Sequence, residues 1–264
     1  MKALETVELQ LRERVAWVTL KRPESLNAFT PQMGRELLAV LDHVAGTAGA
    51  RALVLTGAGR GFSSGADLKQ VAFWGADGKP DLLTPLREIF HPLILRLRTL
   101  ELPVIAAVNG GAAGFGCSLA LAADLVIAAR SAYFLLAFAN VGLTLDGGSS
   151  MLLVGRAGHG RAAEMALLAE RVDAERALAW GLANRVVDDD QLASVAAELA
   201  TRLAAGAPGS HAAIKRSLHQ AAYARLAEQL ELEAELQQQR AESADFSEGV
   251  RAFLEKRPAQ FTGK

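Results

Sequence analysis

The 264-residue sequence has one cysteine, few aromatic side chains and no surplus of either charge. Cys117 alone can form no internal disulfide and no multi-cysteine metal site, and the five histidines show no zinc-ligand spacing. Lys and Arg number 28 against 29 Asp and Glu, so the basic surplus typical of nucleic-acid-binding proteins is missing. No apolar run approaches the roughly 18 residues that a membrane helix needs. We therefore expect a globular, cytoplasmic protein without metal, nucleic-acid or membrane partners.

Aliphatic residues are abundant, and their pattern changes along the chain. Apolar side chains make up 51% of the residues and aromatic ones 6%, which indicates a core of aliphatic packing. Apolar strands such as Val104–Val108 alternate with helical patterns over the first half, and helical patterns follow Gly147. Thr30-Pro31 and Thr84-Pro85 each place an N-cap threonine before a proline at the first helical position. This order predicts an α/β fold, with a right-handed βα spiral over residues 1–200 and a helical region over residues 201–264.

Two glycine-rich loops, Gly61–Asp67 and Gly110–Gly116, follow apolar strands. Glycines let backbone N–H groups approach a ligand closely, and a helix that begins behind them adds positive potential. If the two loops lie side by side, two N–H groups could point at one oxygen and form an oxyanion hole. The alternative is that the glycines only permit tight turns. The occurrence of two such loops favours a site that stabilises a developing negative charge.

The first loop also contains Gly61-x-Ser63-x-Gly65, the pattern of the nucleophile elbow in serine hydrolases. An elbow requires a sharp strand–turn–helix, whereas Gly57–Arg60 separates this loop from the preceding strand. A hydrolase that uses Ser63 therefore stays an alternative from a different enzyme class. The sequence contains neither a dinucleotide-binding fingerprint nor a Walker motif.

Four blocks in order along the chain resemble one family: Lys21–Ala28, Ser63–Leu68, Asn109–Asp124 and Glu248–Pro258. Over nearly its whole length the sequence is similar to the crotonase (enoyl-CoA hydratase/isomerase) superfamily. The resemblance implies a crotonase-like ββα spiral core with a C-terminal helical oligomerisation region, assembled as a homotrimer or a dimer of trimers. It also implies an acyl-CoA thioester as substrate, with no cofactor apart from the coenzyme A of that substrate.

The resemblance further implies roles for individual residues. The thioester oxygen is expected to accept backbone N–H bonds from Ala66 and Phe115, where Phe115 replaces the glycine that is usual in the family. A phenylalanine there requires an unstrained φ angle and adds bulk near the acyl group. The residues expected along the coenzyme A moiety are Ala66, Asp67, Leu68, Lys69, Arg22 and Lys256.

The reaction type depends on which carboxylates are present. Hydratases of the family use two glutamates to activate water, and the corresponding positions are Ser118 and Phe138, neither of which can act as a general base near neutral pH. Asp146 matches the single acid of isomerases in the family, in particular a subgroup that acts on 1,2-epoxyphenylacetyl-CoA. Without the resemblance, Asp146 would be interpreted as the N-cap of the helix that follows. The sequence thus predicts an acyl-CoA isomerase with Asp146 as its acid and base.

Two further alternatives stay open. An enoyl-CoA hydratase of fatty-acid β-oxidation with an unconventional base would form a 3-hydroxyacyl product from crotonyl-CoA. A non-catalytic or RNA-associated member of the family is disfavoured by the near-neutral charge and by the retained acid.

Overall fold

The computed structural model describes residues 4–46, 49–67 and 80–264, and within them the strands form two sheets. The strands are β1 Val7–Arg12, β2 Val15–Leu20, β3 Ala52–Gly57, β4 Gly61–Ser63, β5 Val104–Val108, β6 Gly111–Ala113, β7 Leu125–Ala129, β8 Tyr133–Leu135, β9 Val172–Asp173 and β10 Arg185–Val187. The larger sheet has the order β1-β2-β3-β5-β7-β10, and the smaller sheet has the order β4-β6-β8-β9.

Each turn of the chain contributes one strand to each sheet, because β3 is followed by β4, β5 by β6 and β7 by β8. In the larger sheet β1 pairs antiparallel with β2, and the other neighbours run parallel. Parallel neighbours require crossover connections, which produces the ββα spiral that the resemblance implied. The all-apolar β5 lies inside the larger sheet with every residue buried, as expected for a strand covered on both faces.

Helices connect the strands and make up the C-terminal part. They are α1 Pro31–Gly46, α2 Leu83–Pro85, α3 His91–Thr99, α4 Phe115–Leu121, α5 Ser149–Ala157, α6 His159–Leu168, α7 Ala174–Trp180, α8 Leu192–Ala205, α9 Pro208–Tyr223, α10 Leu226–Ala241 and α11 Ala244–Glu255. A π-helical stretch, Leu86–Phe90, joins α2 to α3 just before Pro92. Since proline has no N–H and crowds the preceding turn, a widened turn at this place relieves the conflict.

The two predicted threonine caps have different outcomes. Thr30 Oγ1 accepts the N–H of Met33 at 3.1 Å, so the cap of α1 is confirmed. The cap predicted at Thr84 is wrong, because Asp81 Oδ1 accepts the N–H of Thr84 at 3.0 Å and Thr84 itself lies inside α2. Aspartate is a better cap than threonine, and it lies three residues before Thr84.

The C-terminal helices pack on the core, and α10 and α11 bury Leu226, Leu230 and Phe246 in it. Helix α8 packs against β3 and β5, so the expected boundary at residue 200 falls inside a helix that belongs with the sheet, and the helices beyond it start at Pro208.

In the part of the chain that the structure describes, no helix combines the length and apolar character needed to cross a bilayer.

Candidate active site

A cavity of about 830 Å³ opens between the two glycine-rich loops and the C-terminal helices. Ala66 of the first loop, Phe115 of the second and Asp146 all line it. The C-terminal helical region contributes Gln237 and Arg257 to the same lining. The fold therefore brings the acid and both backbone donors expected from the sequence to one cavity.

The backbone N–H groups of Ala66 and Phe115 are free to bind a ligand. Ala66 pairs with Phe29 in an isolated parallel bridge, in which the Phe29 N–H donates to the Gly65 carbonyl oxygen at 2.7 Å and the Asp67 N–H donates to the Phe29 carbonyl oxygen at 2.9 Å. Since backbone groups alternate in direction along an extended chain, the Ala66 N–H points away from Phe29. Phe115 is the first residue of α4, where an N–H has no acceptor within the helix. Among the described residues neither N–H has a hydrogen-bond partner.

The two loops touch at the residues that precede these donors. Gly65 has a φ of +89° and Gly114 a φ of +50°, conformations that favour glycine. A Cβ atom on Gly65 would lie 2.8 Å from the carbonyl oxygen of Ala113 and 3.5 Å from the Cα of Gly114. Any side chain at position 65 would push the loops apart, so this glycine keeps the two donors on adjoining backbones.

Phe115 fits this place without backbone strain, because the positive φ falls on Gly114 and not on Phe115. Its side chain is 1% exposed and packs edge-on against Phe90, with ring centroids 4.5 Å apart, and against Phe29 at 4.7 Å. The ring also lies 3.0 Å from the position that a Cβ of Gly147 would occupy. The bulk of Phe115 thus forms a firm apolar wall beside the segment that carries Asp146.

The carboxyl group of Asp146 is buried and largely unpaired. The residue is 8% exposed, its Oδ2 accepts a hydrogen bond from Gln237 Nε2 at 3.3 Å, and Oδ1 has no partner within the described residues. Burial, reinforced by the charge of Glu233, raises the pKa of Asp146 well above its ordinary value, and the bond from Gln237 opposes this rise. A carboxyl group with a raised pKa that faces a cavity can both accept and return a proton.

The interpretation of Asp146 as a helix N-cap is wrong. The N-cap of α5 is Gly148, and the acid at this helix end is Glu233 from α10. Glu233 accepts the N–H of Gly148 at 2.7 Å, and the N–H and hydroxyl of Ser150 at 3.0 and 2.5 Å. A carboxylate from a distant helix thus occupies the helix end, and Asp146 lines the cavity instead.

The two positions where hydratases of the family carry glutamates have other roles in this chain. Ser118 is fully buried, and its Oγ donates to the backbone carbonyl oxygen of Asp146 at 2.9 Å. Phe138 lines the cavity beside Leu143. One position therefore supports the backbone of Asp146, and the other supplies apolar surface.

Of the residues expected along coenzyme A, Arg22 and Asp67 line the cavity together with Ala66. Arg22 Nη1 lies 2.9 Å from Asp67 Oδ2 in a largely buried ion pair, and it also donates to the carbonyl oxygen of Ala28 at 2.6 Å. The ion pair fixes the guanidinium group at the edge of the cavity. Leu68 and Lys69 lie outside the described residues.

Lys256 does not line the cavity, whereas its neighbour Arg257 does. The chain leaves α11 through a left-handed turn at Lys256, with a φ of +56°, and the side chain of Lys256 is exposed. Arg257 is held by Glu248, with Nη2 2.9 Å from Oε2. The resemblance implied Lys256 at the cavity, but the turn at the end of α11 places its neighbour Arg257 there.

Ser63 has the surroundings of a structural serine. It is fully buried, its Oγ donates to the backbone carbonyl oxygen of Asn27 at 2.8 Å, and it does not line the cavity. The geometry thus gives no support to a hydrolase that uses Ser63. Within residues 4–46, 49–67 and 80–264, no group of three or more His, Cys, Asp or Glu side chains could hold a metal ion.

Sequence reasoning missed Glu233 and Gln237. Both are buried on the same face of α10 as Leu226 and Leu230. The spacing from 226 to 230, 233 and 237 is that of one helical stripe. Two polar residues on an apolar helical stripe are a signal that the sequence offered. Buried polar groups require partners, so such residues indicate hydrogen bonds to another part of the fold.

Comparisons with known proteins agree with this geometry. Residues 10–264 match the family model for enoyl-CoA hydratase/isomerase. The chain is 46% identical over 259 residues to a probable enoyl-CoA hydratase of Rhodobacter capsulatus, with 98% of each chain covered. It is 44% identical over 261 residues to the 1,2-epoxyphenylacetyl-CoA isomerase of Escherichia coli, covering 99% of this chain and 100% of the relative. A crystal structure of an enoyl-CoA hydratase from Mycobacterium avium subsp. paratuberculosis matches with a TM-score of 0.90 at 35% identity, covering 98% of this chain and 100% of that one.

The paired sheets and the cavity between two glycine-rich loops define the crotonase class of fold, as the resemblance implied. The chain belongs to the enoyl-CoA hydratase/isomerase family. Its relatives are named both as isomerases and as hydratases, so the comparisons support an acyl-CoA isomerase or hydratase activity at this coarser level.

Proposed function

We propose that this protein is an acyl-CoA isomerase in which Asp146 acts as both acid and base. The observation that carries the proposal is the buried carboxyl group of Asp146, which lines the same cavity as Ala66 and Phe115, whose backbone N–H groups have no partner among the described residues. Burial and the charge of Glu233 raise its pKa, which brings the group closer to the range needed for reversible proton transfer.

The proposed reaction moves one proton within the substrate. Asp146 takes a proton from the carbon next to the thioester carbonyl, or from its vinylogous position; the electron pair of the broken C–H bond forms a new C=C bond, and the π pair of the carbonyl moves onto its oxygen. The N–H groups of Ala66 and Phe115 donate to this enolate oxygen, an effect typically worth about 2.7–4 kcal/mol per donor. The protonated Asp146 then returns the proton to another carbon on the same face. The double bond shifts, and nothing is oxidised or reduced.

The surroundings of Asp146 disfavour addition of water. Phe138, at one of the two positions where hydratases of the family carry a glutamate, gives the cavity apolar surface. The nearby acid, Glu233, does not line the cavity, and both its oxygens accept bonds from the start of α5. A hydratase needs one group to activate water and another to protonate the substrate. The other acids among the described lining residues are Asp67, which is paired with Arg22, and the exposed Glu24, so Asp146 is the one buried acid among them that forms no ion pair.

For the substrate we propose 1,2-epoxyphenylacetyl-CoA, since the Escherichia coli relative that carries this name aligns along its whole length. In that reaction Asp146 assists the opening of the epoxide to the seven-membered oxepin thioester. The cavity lining includes Phe90, Phe115 and Phe138, which offer flat apolar surface to a ring. We further expect a homotrimer or a dimer of trimers with no cofactor beyond the coenzyme A of the substrate, and sedimentation analysis measures the assembly.

The test compares wild type with Asp146→Asn on a 3-enoyl-CoA and on 1,2-epoxyphenylacetyl-CoA. We expect kcat to fall by about 10²–10⁴ while binding of a CoA ester, measured by calorimetry, is retained. The matched control is Asp190→Asn, at an exposed aspartate distant from the cavity lining, which should behave as wild type. Unchanged turnover by Asp146→Asn would overturn the assignment, and rapid formation of 3-hydroxybutyryl-CoA from crotonyl-CoA would favour the hydratase instead.

A further inference from the structure

Glu233 occupies a position that Asp146 could otherwise take. Helix α5 begins at Ser149, only three residues after Asp146, and its N-cap Gly148 offers no side-chain acceptor. The first N–H groups of a helix attract an anion, because they lack partners and lie at the positive end of the helix dipole. Asp146 is the acid nearest in sequence to this helix end. Glu233, which is 3% exposed, takes the N–H groups of Gly148 and Ser150 instead.

Helix α10 holds the segment that carries Asp146 on both sides. One turn beyond Glu233, Gln237 Oε1 accepts the N–H of Thr144 at 3.4 Å, and Gln237 Nε2 donates to Asp146 Oδ2 at 3.3 Å. Glu233 binds the residues after Asp146, and Gln237 binds the residue itself and a residue before it. Two side chains on one face of a helix thus set where the carboxyl group of Asp146 points.

We propose that Glu233 is a positioning residue for the proton transfer by Asp146: it occupies the N-terminus of α5, so that the carboxyl group of Asp146 stays directed into the cavity. The inference rests on the proposed function of Asp146. It assigns to Glu233 a part in the reaction although this side chain does not line the cavity.

The charges around Asp146 make the proposal testable by pH. Among the described residues, Glu233 is the titratable group whose charge acts on Asp146, while α10 also presents the neutral Gln237 and α4 presents Ser118 and Phe115. Burial raises the pKa of both acids, but Glu233 accepts three hydrogen bonds that oppose this rise and Asp146 accepts one, so Glu233 ionises first and its charge disfavours ionisation of Asp146. Without Glu233, Asp146 would lose its charged neighbour and gain access to free N–H groups at the helix start, and both changes lower its pKa.

The experiment measures kcat and KM for isomerisation against pH in wild type, Glu233→Gln and Glu233→Asp. For Glu233→Gln we expect kcat to fall about tenfold, KM to stay within about twofold, and the acid limb of the kcat profile to move to lower pH. Glu233→Asp keeps the charge, so its acid limb should stay closer to that of wild type even though its shorter side chain lowers kcat. The matched control is Glu235→Gln, at an exposed glutamate on the same helix, which should leave rate and profile unchanged.

An unchanged kcat and acid limb in Glu233→Gln would overturn the positioning role. Should that variant fail to fold, Ser150→Ala removes one of the three donors to Glu233 at a position where alanine suits a helix. It is expected to lower kcat by about threefold, and a wild-type rate would equally count against the proposal. Failure of the proposed function would show differently: wild type would isomerise neither thioester, or Asp146→Asn would do so at the wild-type rate. Neither result depends on Glu233, so the two proposals are tested separately.

Discussion

Replacing Asp146 by asparagine is expected to stabilise the protein while it removes activity. The carboxyl group is 8% exposed, and its Oδ1 has no hydrogen-bond partner within the described residues. Asparagine has nearly the same shape, and its oxygen can accept the bond that Gln237 Nε2 now donates to Oδ2. The substitution therefore removes a buried charge without leaving a cavity.

The size of the effect follows from the buried charge, because the Nδ2 group of asparagine would find no more partners than Oδ1 does. A buried polar group without a partner costs about 1–3 kcal/mol, and more when it is charged. We expect the free energy of unfolding of Asp146→Asn to exceed that of wild type by about 1–3 kcal/mol at mildly alkaline pH. For a chain of this length, each kcal/mol corresponds to a rise of about 2–4 °C in Tm.

The pH dependence has a definite sign. The pKa of Asp146 is raised in the folded protein above its ordinary value of 3.8, chiefly by burial. Below 3.8 the carboxyl group is protonated in both the folded and the unfolded state, and it adds no pH dependence. As the pH rises above this value the unfolded chain ionises first, so wild type loses stability until the raised folded pKa has been passed. The advantage of Asp146→Asn should thus be small in acid and grow with pH.

Urea unfolding followed by tryptophan fluorescence, at about pH 5 and about pH 8, measures the difference. Asp190→Asn serves as the control, since that side chain is exposed. A variant less stable than wild type at the higher pH, or a difference that does not grow between the two, would refute the account of Asp146 as a destabilising buried acid. Activity that is lost together with a gain in stability would be the trade-off expected of a catalytic group.

Three further predictions concern the support of the site and of the core. Ser118→Ala removes the hydroxyl that donates to the Asp146 carbonyl oxygen, so kcat should fall by about threefold to tenfold with KM unchanged. A rise in KM with kcat unchanged would contradict this. Gly147→Ala adds a Cβ atom 2.8 Å from Ser118 Cβ at a φ of +64°, and urea unfolding should show a loss of about 1–3 kcal/mol, whereas wild-type stability would mean that the segment relaxes freely. Asp124→Asn leaves the buried Arg98 and Lys215 without their shared acid and should cost about 3–5 kcal/mol, measured in the same way; a neutral result would show that their backbone contacts suffice.

The local signals that predicted the fold were those with a short-range cause. The hydroxyl of Thr30 bonds within its own first helical turn, and the prediction held. The continuous apolar run Val104–Val108 became a strand covered on both faces. Thr84 failed as a cap because the helix begins one residue earlier, and the N–H of Thr84 itself donates to Asp81 Oδ1. Local sequence patterns thus indicate candidate capping residues, but the hydrogen-bond geometry of the folded chain decides which of them caps a helix.

The candidate site was predictable where the sequence motif itself carries the chemistry. The glycine-rich loops that precede Ala66 and Phe115 indicate backbone N–H donors, and these loops are in contact in the structure. The neighbouring positions 256 and 257 could not be distinguished in this way. A left-handed turn at the end of α11 decides which of the two lines the cavity.

The sequence by itself determined the class of fold, the two glycine-rich loops and the presence of one acid, Asp146, where hydratases of the family would need two others. Only the tertiary structure decided what that acid can do. The direction of the Asp146 carboxyl group depends on Glu233. This residue lies 85 residues beyond Gly148 in the chain and yet accepts the N–H of Gly148. A buried carboxyl group acquires its pKa and its direction from whichever groups the folded chain packs around it, and those contacts are made between segments too distant in sequence for any local pattern to encode.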